Sequence, residues 1–207
     1  MRTTLILLCL LCPSISIGEE GNYLLGPIED ASIEIDVPEV SQDGRPAGVP
    51  DDAVLMTFPL NRVSVGVIFW GQTHRSYLAL YGAYPPRPSM KPEDSQPFGL
   101  EALSALRYML ASGTDLDGKA AAYVVKKGWV TTDGGGHGRF VQLYHATEGY
   151  DINASLVCAG LAWWDRERAP DSKILSDCEA EARAKKLGIW SEENPIPPWE
   201  WREGVRE

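Results

Sequence analysis

The 207-residue sequence predicts an α+β fold that is mainly β, with five strands and three helices. Three short runs rich in β-branched and aromatic residues come first, as is typical of strands. A segment with the period of a helix follows, and then come two further strand-like runs and two helical segments. Five strands at this spacing are compatible with a small closed barrel of the OB type.

The first three strands are predicted at Val54–Phe58, Val63–Trp70 and Ser76–Tyr81. Gly71 and Gln72 form a turn signal between the second and the third. Several prolines then interrupt residues 85–97, so this stretch is predicted to be an irregular loop.

The first helix is predicted from apolar residues that recur on one helical face. They are Ala102, Leu103, Leu106, Met109 and Leu110, and Gly113 follows as a stop signal. The last two strands are predicted near residues 120–126 and 140–146, with a glycine-rich loop at residues 133–138 between them.

The second helix is predicted from Asp151, a good N-cap, through Ala159. The third is predicted from Asp171 or Ser172 through Leu187, with Gly188 as its stop. Its apolar face is predicted to contain Ile174, Leu175, Cys178 and Ala182.

The N-terminus, residues 1–18, predicts a cleaved secretory signal peptide. Arg2 supplies the positive charge, a short apolar run follows, and small residues end at Gly18. The alternative is a buried N-terminal helix. Residues 19–52 form an acidic, Pro- and Gly-rich extension, residues 53–202 the folded domain and residues 203–207 the terminus.

The chain is acidic, with a net charge of −10. Removing the signal peptide takes away only one charged residue, Arg2, and leaves a net charge of −11. Because nucleic-acid affinity depends largely on neutralising phosphates, this charge disfavours nucleic acid as a tight partner. No second hydrophobic span follows, so no membrane span is predicted.

Two cysteines, Cys158 and Cys178, remain after the signal peptide. An even pair in an oxidising compartment predicts a disulfide. The alternative is two buried free thiols.

Five segments, in order and at family-like spacing, closely resemble the bacterial thermonuclease family, whose domains are staphylococcal-nuclease-like. They are LALYGAYPP (78–86), QPFGLEALSAL (96–106), GRFVQLY (138–144), ASLVCAGLAWW (154–164) and AKKLGIWSEENPIPPWEW (184–201). The resemblance implies a five-stranded OB barrel with three helices. In active members it also implies calcium-dependent hydrolysis of DNA and RNA.

Most catalytic positions of that family are substituted in this chain. The two calcium-binding aspartates correspond to Val63 and Tyr84, one phosphate-binding arginine to Ala79, and the water-activating glutamate to Arg87. Only the second arginine is retained, as Arg139. Since each of these roles contributes about 10²–10⁴ in rate, the sequence predicts a catalytically degenerate domain.

No Asp or Glu occurs from Ala53 to Pro92, so a shifted alignment does not restore the missing carboxylates. The family's aromatic base-binding run, Tyr-Arg-Arg-Tyr, is replaced by Asp-Arg-Glu-Arg at residues 165–168. Glu93 and Asp94 are the alternative carboxylates, although charged loop residues are usually only solvated.

Arg139, His137 and Arg87 are the candidate binding residues for an anion, and Arg139 is the only candidate catalytic residue. No metal site and no cofactor is predicted, except calcium if the chain is an active nuclease. The three histidines have no zinc-ligand spacing. The glycine-rich loop at 133–138 lacks the Gly-Lys-Ser/Thr ending and the helix of a phosphate-binding loop.

The remaining aromatic and sulfur groups are predicted to be structural. Five C-terminal tryptophans are expected in the core or where the tail docks; they are Trp163, Trp164, Trp190, Trp199 and Trp201. Cys158 is not expected to be a nucleophile, because it lies among apolar residues on a helix.

The function predicted is therefore that of a secreted or periplasmic nuclease-like domain that binds a small anion, a protein or weakly held nucleic acid. The alternative is a calcium-dependent extracellular nuclease with relocated metal ligands. A third class is an interaction protein that uses the extension at residues 19–52.

Overall fold

The computed structural model describes residues 44–64, 67–69, 76–89, 91, 94–113, 119–131 and 137–202. Several predictions lie outside these residues: the signal peptide, most of the extension, the turn at 71–72, Glu93, His74 and residues 203–207. Residues 44–52, the end of the predicted extension, form turns in which the Arg45 guanidinium donates to the carbonyls of Pro50 and Asp51 at 2.8 and 2.6 Å.

The first predicted strand is confirmed at its predicted bounds, as β1 (Val54–Phe58). The second run contains two strands, β2 (Val63–Ser64) and β3 (Val67–Phe69), which pair antiparallel with each other. The chain therefore reverses within a run that the sequence predicts as one strand. The third is β4 (Ser76–Leu80).

Helix α1 (Gly99–Ser112) contains the predicted apolar face and ends at Gly113, as predicted. The next two strands, β6 (Ala120–Thr131) and β7 (His137–His145), are longer than predicted. All of β7 pairs with residues 122–131 of β6, with a register shift between Lys126 and Gly128. This pairing provides the hydrogen bonds that extend both strands beyond their apolar runs.

Helix α2 (Ile152–Cys158) begins after Asp151, whose side chain accepts a hydrogen bond from the Ala154 backbone N–H, as a capping residue does. Helix α3 (Lys173–Ala184) is capped by Ser172 rather than Asp171. It ends before the predicted Leu187, because Lys186 adopts a left-handed conformation with φ of 51°.

Three short elements are absent from the sequence prediction: β5 (Ala83–Tyr84), β8 (Trp163–Trp164) and α4 (Pro198–Arg202). They are too short to produce a periodic pattern. The described residues therefore contain four α-helices where three are predicted.

The strands form a six-stranded mixed sheet in the order β1-β6-β7-β4-β3-β2, and β5 and β8 form a separate two-stranded sheet. Strands β4 and β7 run parallel, while the other neighbours are antiparallel. The fold is thus mixed α+β, as predicted, with more strands than the predicted five.

The core lies between the sheet and helices α1, α2 and α3. Its fully buried side chains include Phe58, Ile68, Leu78, Leu106, Leu110, Leu143, Ile152 and Leu156. The predicted disulfide between Cys158 and Cys178 is present and links the end of α2 to α3. Ile174, predicted on the apolar face of α3, is 52% exposed instead. None of the described helices is long and apolar enough to cross a membrane.

Candidate functional site

The two positions that the family fills with calcium-binding aspartates have no carboxylate and are held by packing. Val63 is buried, and its carbonyl accepts two hydrogen bonds from the Arg107 guanidinium at 3.1 and 2.8 Å. Tyr84 is half-buried, and its ring meets the edge of Trp199 with the centroids 5.8 Å apart. An isopropyl group and a phenol ring replace the hard oxygen ligands that calcium requires.

The acidic groups of the described residues do not compensate for these two changes. No group of three or more His, Cys, Asp or Glu side chains in the described part of the chain is placed to hold a metal ion. Asp94, the alternative carboxylate with a described position, is exposed in the proline-rich loop, where its backbone N–H donates to the carbonyl of Lys91 at 3.0 Å. The residues at the family's positions therefore do not fit calcium.

Ala79 and Arg87 stand at the positions of a phosphate-binding arginine and the water-activating glutamate. Ala79 lies in β4 between Val67 and Phe140 and offers only a methyl group. Arg87 is exposed, and its backbone N–H and carbonyl are both hydrogen-bonded to the buried Gln96, at 3.0 and 2.9 Å. Arg87 is thus available to solvent but brings positive charge where the family has a carboxylate.

Arg139, the retained arginine, lies in β7 directly opposite Trp129 of β6. Its guanidinium carbon is 3.5 Å from the centroid of the Trp129 ring, in a cation–π contact. Stacking covers one face of the guanidinium and leaves the in-plane N–H groups free for an anion. The structure therefore has an arginine at one of the two positions predicted to match the family's phosphate-binding arginines, and alanine at the other.

His137, the second candidate binding residue, is the first residue of β7. The strand register places its backbone opposite Ser76 of β4 and Thr131 of β6. It is two residues from Arg139 on the same strand, while Arg87 belongs to the loop after β5.

A serine–histidine pair occurs at Ser112 and His145, where the Ser112 hydroxyl oxygen and the His145 Nε2 are 2.9 Å apart. The His145 Nδ1 accepts hydrogen bonds from the backbone N–H groups of Thr147 and Glu148 at 3.3 and 3.0 Å. Nε2 therefore carries the proton and donates to Ser112, whose own hydroxyl donates to the Met109 carbonyl at 3.1 Å. The imidazole cannot take the serine proton, so this pair is structural.

Burial lowers the pKa of His145, against a smaller opposing influence of Glu148, so the imidazole is kept neutral. Its ring stacks on Tyr150 with the centroids 4.7 Å apart. Both ring nitrogens of His145 are thus engaged in hydrogen bonds within the fold.

Two buried carboxylates, Asp165 of the turn at residues 165–168 and Glu179 of α3, bind the arginines around that turn. Asp165 is 8% exposed and binds Arg168 at 2.5 Å, while its backbone N–H donates to the Gly82 carbonyl. Glu179 is 3% exposed and binds Arg166 at 2.7 Å and Arg183 at 3.5 Å. Sequence reasoning missed Glu179, because its burial and its pairing with Arg166, 13 residues away, depend on the tertiary fold.

Of the five C-terminal tryptophans, Trp163 and Trp190 lie in the core, as predicted, whereas Trp199 of the tail is 39% exposed. The rings of Trp163 and Trp190 meet edge to face, with the planes 66° and the centroids 5.5 Å apart. Arg183 lies over the Trp190 ring at 3.8 Å. The tail itself is tied to the loop after β5, because the Gln96 side chain donates to the Ile196 carbonyl at 2.5 Å.

A cleft of about 870 Å³ opens beside these groups. We call it the C-terminal cleft; it is lined by the turn at residues 165–168, by Tyr84 and the tryptophans of β8, by α3, and by the tail at residues 193–200. Tyr84, which is predicted to stand at the position of the family's second aspartate, lines this cleft. The sequence gives no signal for this cleft, since its walls come from five separate segments.

Comparison with known families agrees with this architecture. The model of the family described as staphylococcal nuclease homologue matches residues 78–192, more than half of the chain. The chain therefore belongs to that family, and it contains a staphylococcal-nuclease-like domain.

Several curated proteins are similar over shorter stretches. An uncharacterized endonuclease of Escherichia coli is 38% identical over 66 residues, which are 32% of this chain and 42% of that protein. A micrococcal nuclease of Shigella flexneri is 42% identical over 53 residues, 25% of this chain and 30% of that protein. The staphylococcal-like nuclease CAN1 of Arabidopsis thaliana is 34% identical over 116 residues, 56% of this chain and 31% of that protein. The chain thus spans less than half of each of these relatives.

Proposed function

We propose that this protein is an exported, staphylococcal-nuclease-like domain that has lost phosphodiester hydrolysis and acts as a binding or scaffold module. The observation that carries the proposal is the state of the catalytic positions. Val63 and Tyr84 are packed without any carboxylate, Ala79 offers a methyl group, and Arg139 remains alone on the Trp129 ring. When several transition-state contacts are lost together, little of the rate acceleration remains.

The scaffold for binding remains, and we infer that it is the closed five-stranded barrel of the family. The two edge strands of the six-stranded sheet, β1 and β2, are separated by only four residues of the chain, 59–62. One bent strand running through both would pair with β6 at one end and with β3 at the other, which closes the sheet. Export is inferred from residues 1–18 alone.

The test is a nuclease assay on the purified protein with single-stranded DNA and calcium. We expect no cleavage above that of the Arg139→Ala variant or of the wild type in EDTA. Because Arg139 is the only retained catalytic position, the variant measures contaminating nuclease in the same preparation. Calcium-dependent cleavage that disappears in the variant would refute the loss of activity.

The second candidate function is a calcium-dependent nuclease with relocated metal ligands. It is favoured by the retained Arg139 and by the names of the relatives, which include an endonuclease and a micrococcal nuclease. A metal that binds only the native state raises the melting temperature. This candidate therefore predicts that millimolar calcium stabilises the protein, while the leading proposal predicts the same melting temperature with calcium and with EDTA.

A further inference from the structure

The C-terminal cleft has the size of a ligand-binding site. Its volume of about 870 Å³ lies within the range of about 300–1,000 Å³ that is usual for such clefts. It is also separate from Arg139, which does not line it. The charge and the aromatic surface of its walls indicate which class of ligand it accepts.

The arginines of the cleft are already paired with buried carboxylates. Arg168 pairs with Asp165, and Arg166 and Arg183 share Glu179. Three other carboxylates line the cleft and make no ion pair with any described residue; they are Glu167, Glu193 and Glu200. With three arginines and five carboxylates, the walls carry a net charge of −2.

Aromatic rings lie beside these unpaired carboxylates. Trp199 is 39% exposed and packs edge-on against Tyr84 and Trp163, at 5.8 and 6.5 Å between centroids. An exposed indole next to Glu200 attracts a cation both by charge and through its ring face.

Trp190, in the same walls, supplies a second kind of contact. It is 8% exposed, and its indole N–H is buried without a hydrogen-bond partner among the described residues. An unpaired buried donor is unfavourable, and an acceptor reaching it would relieve that cost. A peptide carbonyl is such an acceptor.

We propose that the C-terminal cleft binds a lysine- or arginine-containing segment of a partner protein. The basic side chains meet Glu193 and Glu200 and lie against the Trp199 ring, and a backbone carbonyl of the segment accepts from Trp190. This inference rests on the proposed binding role and names its ligand class. Phosphate-bearing ligands are disfavoured because the walls carry a net negative charge.

The test measures the binding of a fluorescein-labelled peptide of alternating lysine and glycine, about eight residues long, by fluorescence anisotropy at low salt. A peptide of alternating glutamate and glycine is the charge control, and labelled oligothymidylate tests nucleic acid. We expect binding of the lysine peptide only, weakened at about 0.5 M salt, where exposed charges are screened.

Matched variants locate the site. Glu193→Gln with Glu200→Gln removes two carboxylates from the cleft, and we expect affinity for the lysine peptide to fall about tenfold. Glu101→Gln with Glu192→Gln removes the same charge from exposed positions that do not line the cleft, and we expect affinity within about twofold of wild type. Neither pair of changes removes an ion pair described in the structure.

Equal weakening by both pairs would overturn the cleft assignment, because it would show a general attraction to an acidic protein. Absence of peptide binding, or tighter binding of oligothymidylate, would overturn the proposed ligand class. Neither result would restore nuclease activity, so the failure of this inference is distinct from that of the proposed function, which the cleavage assay decides.

Discussion

At the residue scale, the His145 imidazole couples the stability of the fold to pH. It is 1% exposed, and burial lowers its pKa below the usual 6.5. As the pH falls through 6.5, the unfolded chain therefore binds a proton that the folded chain still excludes. The free energy of unfolding should decrease on acidification below 6.5, until the pH reaches the lowered pKa of the folded state.

The His145→Gln variant tests this prediction, since glutamine keeps hydrogen-bonding groups but does not titrate. We expect the wild type to lose more stability than the variant between about pH 7 and about pH 5. Urea unfolding at both pH values measures the difference. Parallel losses in the two proteins would assign the acid sensitivity to other groups.

The family resemblance predicts which catalytic positions are substituted, but not the contacts that the residues there make. The contact between Arg139 and Trp129 depends on the pairing of β6 with β7 across the register shift between Lys126 and Gly128. A one-residue change of register would place a different residue opposite Arg139. Sequence spacing does not report such a shift, so the partner of Arg139 could not be predicted.

At the scale of elements, the disulfide joins α2 to α3 over a sequence separation of 20 residues. Closing a loop of this size lowers the conformational entropy of the unfolded chain, which stabilises the folded state by about 3 kcal/mol. We expect the double variant Cys158→Ser, Cys178→Ser to lose stability by about that amount in urea unfolding. Wild type treated with a reductant should match the variant, and a loss below about 1 kcal/mol would show that packing between the helices holds them without the bond.

Elements with their own sequence signals are the ones that could be predicted. Asp151 and Ser172 cap α2 and α3, and Gly113 ends α1, because capping is a local interaction. In contrast, β5 and β8 have two residues each and exist through their mutual pairing. The two form one wall of the C-terminal cleft, which explains why the cleft could not be predicted either.

At the scale of the whole molecule, the net charge of −10 acts on every approaching polyanion. Nucleic-acid affinity comes largely from cations that displace the counterions of phosphates. Arg139 is only half-exposed, and the arginines of the C-terminal cleft are paired with Asp165 and Glu179. The molecule as a whole should therefore repel DNA at distances beyond its local contacts.

This repulsion predicts weak binding of single-stranded DNA even where cleavage cannot interfere. In EDTA at low salt, we expect about 10 μM protein to leave a labelled oligonucleotide unsaturated. The dissociation constant would then lie at the weak end of the usual non-specific range of about 10⁻⁴–10⁻⁶ M. Fluorescence anisotropy measures this directly, and Arg139→Ala should lower the residual signal further. Micromolar binding that falls steeply with salt would instead reveal a basic groove strong enough to overcome the net charge. Binding that is weak and insensitive to salt is the result expected of a scaffold that has kept one phosphate contact and lost the rest.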